Sequence, residues 1–284
     1  MKHSKISFFV LTALLIGGFP NFMIQEAHAA VDTWTLGDVT DAAETASLRG
    51  VSMSSTTNGV AVGTGGVIVY TSDGGDTWTA ATTTNVGTTN MYGVSMSDAS
   101  NGVAVGASGK IVRTTNGGVT WTAAATTNVG TTQMPGVSMS SATNGVAVGS
   151  TGTIVYTSDG GDTWTAAATT NVGTTQMRGV SMSSTTNGVA VGSSGVIVYT
   201  SDGGINWTLG DSVSNAAGTT NIYHVSMSSA TNGVAVGDSG VIVYTSNGGD
   251  TWTLGDSVSD AAETAFLRGV SMSSTTNGVA VGSG

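Results

Sequence analysis

Six tryptophans recur at nearly constant intervals along the sequence, and this regularity limits the folds that it can adopt. The spacings are 44, 43, 43, 43 and 45 residues. Repeats of about 40–45 residues that contain several short strands are typical of a β-propeller, in which small antiparallel sheets pack side by side. The period therefore predicts one repeat domain. The tryptophans are Trp34, Trp78, Trp121, Trp164, Trp207 and Trp252.

Each unit contains four short segments with the composition of β-strands. In one unit these are residues 51–54, 60–62, 67–70 and 77–79, separated by turns rich in Gly, Asn and Ser. Asn58-Gly59 predicts a hairpin turn with positive φ at both residues. One methionine per first strand, from Met53 to Met272, is expected to fill space between sheets rather than to bind a soft metal. The fold prediction is all-β, a propeller of about six blades with four antiparallel strands each.

The two ends of the chain carry nearly the same sequence. Residues 35–65 recur with few changes at 253–284, so the sixth unit stops after its second strand. Two arrangements are compatible with this pattern. Either the last blade is incomplete because the chain is a truncated piece, or the N-terminal strand around Trp34 moves inward to complete it.

The N-terminal segment differs from the repeats. Two lysines precede an apolar run at 6–16, and Ala27-His28-Ala29 has the small residues of a cleavage site. We expect residues 1–29 to be a cleaved signal peptide and 30–284 to form the propeller. The mature protein is then exported to the periplasm or the medium and has no membrane span. The alternative is an uncleaved anchor over residues 6–24.

Charge and composition exclude several classes of protein. Asp and Glu number 17 against 7 Lys and Arg, which gives a formal net charge of −10. Such a field repels a polyanion, so we expect no nucleic-acid partner. The absence of cysteine excludes disulfides and thiolate metal sites. No cofactor is predicted, and the oligomeric state is left open.

Five units share the turn Thr-x-Asp-x-Gly-x-Thr-Trp or a close variant of it. We expect the Asp to accept N–H groups of its own turn, the glycines to take positive φ, and the Trp to pack over the hairpin. A calcium site is the alternative, but two of the five positions are Asn, a poorer ligand for a hard cation, so no metal is predicted. The structural pairs are Asp73 with Trp78, Asn116 with Trp121, Asp159 with Trp164, Asp202 with Trp207, and Asn247 with Trp252.

This turn motif resembles the Asp-box, also called the bacterial neuraminidase repeat. The longer pattern combines Gly-Val-Ser-Met with Asn-Gly-Val-Ala-Val-Gly-x-x-Gly-x-Ile-Val-Tyr-Thr-Ser-Asp-Gly-Gly-x-Thr-Trp. It is similar to the repeats of the photosystem II stability/assembly factor family, and the resemblance covers residues 31–284. The resemblance implies an exported propeller that acts as a binding or assembly factor and not as an enzyme.

One position just before the first strand varies in otherwise constant units, so the blade itself does not dictate its residue. In a propeller this position opens on the rim of the central channel, and concave surfaces are the usual location of binding sites. Arg and Tyr there suit a protein partner or an anionic ligand. The position is occupied by Arg49, Tyr92, Pro135, Arg178, Tyr223 and Arg268, and His224 replaces a glycine one position later. All of these except Pro135 are candidate binding residues.

Other interpretations stay open at this point. The rim residues can be scattered surface side chains, and the protein can be a purely structural surface repeat. A sialidase-like glycoside hydrolase would use an arginine cluster and a tyrosine nucleophile, Tyr92 or Tyr223. The acid and base carboxylates of that chemistry are not evident, because Glu44 and Glu263 lie in duplicated loops. If six blades close into a ring, the first and last rim arginines become neighbours.

Overall fold

The computed structural model describes residues 38–39, 46–126, 129–169, 172–210, 220–255 and 266–283. Regular structure in these ranges consists of β-strands and short 3-10 turns, and no α-helix occurs in them. The expected signal peptide, Trp34, Glu44 and Glu263 lie outside the described residues.

The strands form six sheets in chain order, one for each repeat unit, which we call blades one to six. Blade one contains β1 (Asp38–Val39), β2 (Leu48–Met53), β3 (Gly59–Gly63), β4 (Ile68–Thr71) and β5 (Thr77–Ala80). Blade two contains β6 (Thr82–Thr83), β7 (Met91–Met96), β8 (Gly102–Gly106), β9 (Ile111–Thr114) and β10 (Thr120–Ala123). Blade three contains β11 (Gly136–Met139), β12 (Gly145–Val148), β13 (Ile154–Thr157) and β14 (Thr165–Ala166).

The other three blades follow the same plan. Blade four contains β15 (Ala168–Thr169), β16 (Met177–Met182), β17 (Gly188–Gly192), β18 (Ile197–Thr200) and β19 (Asn206–Leu209). Blade five contains β20 (Ile222–Met227), β21 (Gly233–Gly237), β22 (Ile242–Thr245) and β23 (Thr253–Leu254), and blade six contains β24 (Phe266–Met272) and β25 (Gly278–Ser283). The 3-10 turns after the second strands span Thr64–Gly66, Ala107–Gly109, Ser150–Gly152, Ser193–Gly195 and Asp238–Gly240.

Blades one to five each contain four antiparallel strands in sequence order, which confirms the predicted all-β propeller architecture. Blades one, two and four have an additional outer strand. In blade one it is β1, which pairs parallel to β5. These outer strands were not predicted, because segments of two residues are too short to show a period of two.

Blade six contains two described strands, β24 and β25, in an antiparallel pair. The strand expected around Trp34, on which one of the two arrangements for the last blade depends, lies outside the described residues. The first described strand, β1, lies at the outer edge of blade one. Both end blades leave a face exposed: Val51 in blade one is 65% exposed, and Val281 in blade six is 56% exposed.

The predicted Asn-Gly hairpin turn is wrong. Neither Asn58 nor Gly59 has a positive φ. The loop is longer, and the carbonyl of Asn58 accepts the N–H of Ser54 at 2.8 Å. Glycine is required for another reason: a Cβ on Gly59 would clash with Sδ of Met53. The same methionine–glycine contact recurs in the other five units. The methionines of the first strands therefore pack on the second strands, as expected for side chains that fill space.

Consecutive blades share hydrophobic cores and a repeated hydrogen bond. The second strand of each unit is buried in blades one to five, and Trp121 of blade two packs with Val60 and Val62 of blade one. Along the innermost strands, the N–H of Met96 donates to Oγ of Ser52 at 3.0 Å. The equivalent bond occurs at the other four junctions. These contacts fix the inner strands side by side and thereby position the rim.

Candidate functional site

The rim residues occupy a β-bulge in five of the six innermost strands. In β2, Leu48 pairs with Gly63 and Gly50 pairs with Val62, so Arg49 is the extra residue of the bulge. A bulge leaves one residue out of the ladder and redirects its side chain. The equivalent bulge residues are Tyr92, Arg178, Tyr223 and Arg268. In blade three the position is Pro135, immediately before β11.

A glycine follows four of the five bulges and brings neighbouring inner strands close together, whereas unit five has His224 at that position. A Cβ on Gly50 would lie 3.0 Å from the carbonyl oxygen of Tyr92, and one on Gly179 would lie 3.0 Å from that of Tyr223. Such a contact is tighter than ordinary van der Waals packing, so glycine is favoured here. The close approach allows bulge side chains of successive blades to touch.

The predicted rim residues form two clusters. The guanidinium carbon of Arg49 lies 5.6 Å from the ring centre of Tyr92. Farther along the chain, Tyr223 contacts two arginines, with Arg178 at 4.9 Å and Arg268 at 5.0 Å from its ring centre. We call these the Arg49–Tyr92 pair and the Arg178–Tyr223–Arg268 stack. The guanidinium carbon of Arg268 also lies 5.6 Å from the ring centre of Phe266. Among the described residues, no cation–π contact links the Arg49–Tyr92 pair to the stack that contains Arg268.

The stack has an acidic neighbour that the sequence reasoning missed. Asp238 follows β21, and its Oδ2 accepts a hydrogen bond from Nδ2 of Asn221 at 2.8 Å. Its Oδ1 is buried without a hydrogen-bond partner among the described residues. Burial, followed by the nearby Asp238 carboxylate, raises the pKa of Tyr223, and the two arginines lower it less. Position 238 varies between units as position 223 does, but this variation alone does not show that the two residues meet.

Arg178 is oriented by a second contact. Its Nε donates to Oγ of Ser193 at 3.2 Å. Ser193 belongs to the turn that follows β17, so the guanidinium is held between this turn and the Tyr223 ring. The terminal nitrogens of Arg178 remain available to a ligand, because the described contacts engage only Nε and the ring-facing side of the group.

His224 takes part in the junction between blades five and six. Its Nδ1 accepts a hydrogen bond from the N–H of Val270, in the innermost strand of blade six, at 3.4 Å. The other units have glycine at the position of His224. Part of the ring is exposed, but the surrounding inner strands desolvate it and lower the pKa of His224. The hydrogen bond requires an unprotonated Nδ1. This histidine therefore links the innermost strands of blades five and six next to the stack.

A cavity of about 380 Å³ opens beside the Arg49–Tyr92 pair. Its lining consists of Arg49, Tyr92, Gln133 and Pro135. The sequence analysis did not single out Gln133, because the six equivalent positions carry Ser, Asn, Gln, Gln, Asn and Phe, which resembles ordinary loop variation. The cavity thus joins residues of three neighbouring units.

The Asp-box turns make the hydrogen bonds that the sequence predicts. Oδ1 of Asp73 accepts from the N–H of Thr77 at 2.9 Å and from Oγ1 of Thr71 at 2.7 Å, and Oδ2 accepts from the Thr77 hydroxyl. Gly74 and Gly75 have φ values of 84° and 102°. Asp159 and Asp202 accept the equivalent bonds.

Asparagine preserves this geometry by reversing one hydrogen bond. Oδ1 of Asn116 accepts from the N–H of Thr120 at 2.9 Å, while its Nδ2 donates to the Thr120 hydroxyl at 2.9 Å. A hydroxyl can act as donor or acceptor, so the threonine adapts to either residue. Asn247 makes the same bonds with Thr251.

The carboxylates of the three Asp-containing boxes have lowered pKa values. For Asp73, the hydrogen bonds from the side chain and the N–H of Thr77 are the main cause. For Asp159 and Asp202, partial burial acts in the opposite direction, but the hydrogen bonds together outweigh it. The charged form is therefore stabilised in the folded state.

Four of the five described box tryptophans, those in blades two to five, connect their hairpins to the preceding blade. Nε1 of Trp164 donates to the carbonyl of Gly161 at 3.2 Å, and the indole is 2% exposed. A Cβ on Gly161 would lie 2.7 Å from Cγ2 of Val103 in blade two. Trp78 is only half-buried because no blade precedes blade one in the described residues. The boxes are accordingly blade-junction elements.

The described residues contain no group of three or more His, Asp or Glu side chains arranged to hold a metal ion. Within the same ranges, no helix has the length and apolar character that a bilayer span requires.

Comparison with known proteins gives one family. Residues 14–138 and 126–214 match the sequence pattern of the family described as photosynthesis system II assembly factor YCF48. No curated protein matches the chain significantly.

Solved structures share the fold at low sequence identity. Virginiamycin B lyase from Staphylococcus aureus has a TM-score of 0.66 at 12% identity, over 80% of this chain and 75% of that one. A GH74 enzyme from Niastella koreensis has 0.55 at 18% identity, over 73% of this chain and 38% of that one. YCF48 bound to a D1 peptide has 0.45 at 16% identity, over 84% and 91%. The fold of this chain is therefore shared with enzymes, and the likeness by itself does not indicate a function.

Proposed function

The chain belongs to the family of the photosynthesis system II assembly factor YCF48, and on that premise we propose that it is an exported, non-catalytic propeller that docks a protein partner or an anionic ligand on its rim. The family supports a protein-binding role, since an assembly factor acts by contacting other proteins. The residues that would carry the docking are the Arg49–Tyr92 pair and the Arg178–Tyr223–Arg268 stack. His224 would support the stack.

The main support for this proposal is the contact of two arginines with one tyrosine. Arg178 and Arg268 lie 4.9 and 5.0 Å from the Tyr223 ring centre. A guanidinium over an aromatic ring is held by cation–π attraction, while its N–H donors stay in its own plane and can pair with a carboxylate. Two like charges on one ring repel each other, and an anion relieves that repulsion.

The distribution of charge also favours an anionic partner. The chain has a formal net charge of −10. Between residues 30 and 284 it has five basic residues, and three of them are rim arginines. Arg113, by contrast, is paired with Asp162 at 3.0 Å. The rim arginines give their part of the surface a positive electrostatic potential, whereas the protein as a whole is acidic. This potential steers acidic partners towards the arginines.

The alternative function of this site is a sialidase-like activity. A tyrosine nucleophile requires activation by a base or by a lowered pKa. The pKa of Tyr223 is raised, by burial and then by Asp238, which keeps the phenol protonated. The observation favours binding over catalysis.

Affinity capture with matched arginine variants tests the proposal. The mature protein is immobilised and exposed to the periplasmic fraction and culture medium of its own cells, and captured proteins are identified by mass spectrometry. In the variant Arg49→Ala/Arg178→Ala/Arg268→Ala we expect loss of a partner that the wild type retains. The control Lys110→Ala/Arg113→Ala removes cations that do not belong to the rim set and should retain it. Equal capture by all three proteins would reject the rim as the docking site.

A further inference from the structure

The two rim tyrosines differ in the number of arginines that contact their rings. Tyr223 has a guanidinium at 4.9 Å and another at 5.0 Å. Tyr92 has a single described cation contact, Arg49 at 5.6 Å. Tyr92 also lines the open cavity of about 380 Å³, together with Arg49. The two clusters are therefore chemically different, although their residues occupy equivalent bulges.

A proline also lines this open cavity. Pro135 stands where other units have a bulge residue, and β11 begins only at Gly136. Proline has no N–H to donate to the sheet and has a rigid ring, so it provides a fixed apolar surface. An aromatic ring and a proline ring in one lining provide apolar surface that favours contact with a flat apolar side chain.

An amide group is also available in this cavity. The equivalent asparagines cap the turn of the preceding blade: Oδ1 of Asn90 accepts from the N–H of Gly65 at 3.0 Å, and Oδ1 of Asn221 accepts from that of Ser194 at 3.3 Å. Gln133 is one methylene longer and its amide makes no hydrogen bond to another described residue. Together with the guanidinium of Arg49, it offers donors to the carbonyl oxygens of a peptide backbone.

We propose that the cavity lined by Arg49, Tyr92, Gln133 and Pro135 binds an aromatic side chain of a peptide segment whose acidic residue is bound by the Arg178–Tyr223–Arg268 stack. This inference rests on the proposed function and adds the class of partner to it. The stack provides charge recognition, and the cavity provides selection by side-chain shape. An acidic segment without an aromatic residue then binds more weakly than one with it.

The test uses two blocked peptides, acetyl-Gly-Phe-Glu-Gly-amide and its analogue with Ala in place of Phe, titrated into isotope-labelled mature protein and followed by NMR. We expect wild type to prefer the Phe peptide by roughly 2- to 10-fold, the range that an aromatic pair provides. Tyr92→Ala should abolish the preference, and Tyr92→Phe, which keeps the ring, should retain it. Gln133→Ala should weaken binding of both peptides, while Gln176→Ala, the equivalent residue outside the cavity, should not.

The outcomes separate this inference from the proposed function. Equal affinity of wild type for the two peptides, or binding of neither, would overturn the aromatic site. Equal affinity with a persistent loss in Arg178→Ala/Arg268→Ala would leave the anion-docking proposal intact. A preference for Phe that depends on Tyr92 but not on those arginines would support the cavity and contradict the stack as the anion site. Thermal unfolding of each variant identifies any that fail to fold.

Discussion

The guanidinium carbon of Arg268 lies 5.0 Å from the ring centre of Tyr223, so the bulges of blades five and six meet at one aromatic ring. Arg178 reaches the same ring from blade four. Three units thus contribute one residue each to a single cationic cluster. A repeat that places equivalent residues at equivalent points can build such a site by changing one residue per unit.

The ring of Tyr223, rather than its hydroxyl, is expected to matter for binding. In Tyr223→Ala the arginines lose their cation–π partner, so affinity for acetyl-Gly-Phe-Glu-Gly-amide should fall by roughly 2- to 30-fold. Tyr223→Phe keeps the ring and should bind as wild type does. A sialidase would show the reverse dependence, with turnover of a fluorogenic sialoside abolished by the Phe substitution.

Burial predicts unequal roles for two box tryptophans. Trp164 is 2% exposed and Trp78 is half-buried. Trp164→Ala should lower the free energy of unfolding by about 3–5 kcal/mol, and Trp78→Ala by clearly less, in urea denaturation. Peptide affinity at the rim should not change in either folded variant. Equal losses of stability would mean that the boxes do not form the blade junctions described above.

The Asp boxes predict a specific dependence of stability on pH. Because the pKa values of Asp73, Asp159 and Asp202 are lowered on folding, their contribution is present above the unfolded pKa of about 3.9 and is lost as the pH falls through the folded values. Replacing all three with Asn, the residue found at 116 and 247, should remove this acid-sensitive contribution. The melting temperature of the variant should be lower than that of wild type at pH 7, and the difference should shrink towards pH 2. Parallel curves would contradict the assignment.

Calcium should not stabilise the protein. A cation that binds only the folded state raises the melting temperature by mass action. The box carboxylates already accept hydrogen bonds from threonine hydroxyls and N–H groups, and two boxes carry Asn. A rise of several degrees in millimolar calcium, reversed by a chelator, would show that a cation site exists in these turns.

Cleavage of the signal peptide predicts a defined mature protein. If residues 1–29 are removed, the first residue of the exported protein is Ala30, and intact-mass measurement of protein from the periplasm or medium should give the corresponding mass. A protein that keeps its first residues and sediments with membranes would instead agree with the uncleaved anchor.

Regular features of the repeat were predictable, because period and alternation report directly on strands and burial. The four-stranded blades, the Asp-box bonds and the grouping of Arg178 with Tyr223 all follow from equivalent positions in equivalent units. The Asn58-Gly59 turn was mispredicted, because the glycine is selected by Met53 in the packed blade and not by the backbone of the turn. Contacts of that kind depend on tertiary packing and leave no local signal.

Two site residues could not be reached from motif reasoning alone. Asp238 approaches Tyr223 from the turn after β21, fifteen residues away in sequence, and only the folded blade brings them together. Gln133 becomes notable only when the capping bonds of Asn90 and Asn221 are known. The role of Asp238 depends on its approach to Tyr223, and the role of Gln133 depends on an amide that makes no hydrogen bond to another described residue. The sequence specifies neither feature.

The central claim is that the rim arginines bind an acidic partner, and one comparison of dissociation constants tests it most directly. The peptide acetyl-Gly-Phe-Glu-Gly-amide is compared with its Gln analogue, which has the same shape but no charge, in wild type and in Arg49→Ala/Arg178→Ala/Arg268→Ala. We predict that wild type binds the Glu peptide more tightly and that the triple variant does not distinguish the two. A preference for Glu that persists unchanged in the triple variant, or its absence from wild type, would contradict the account.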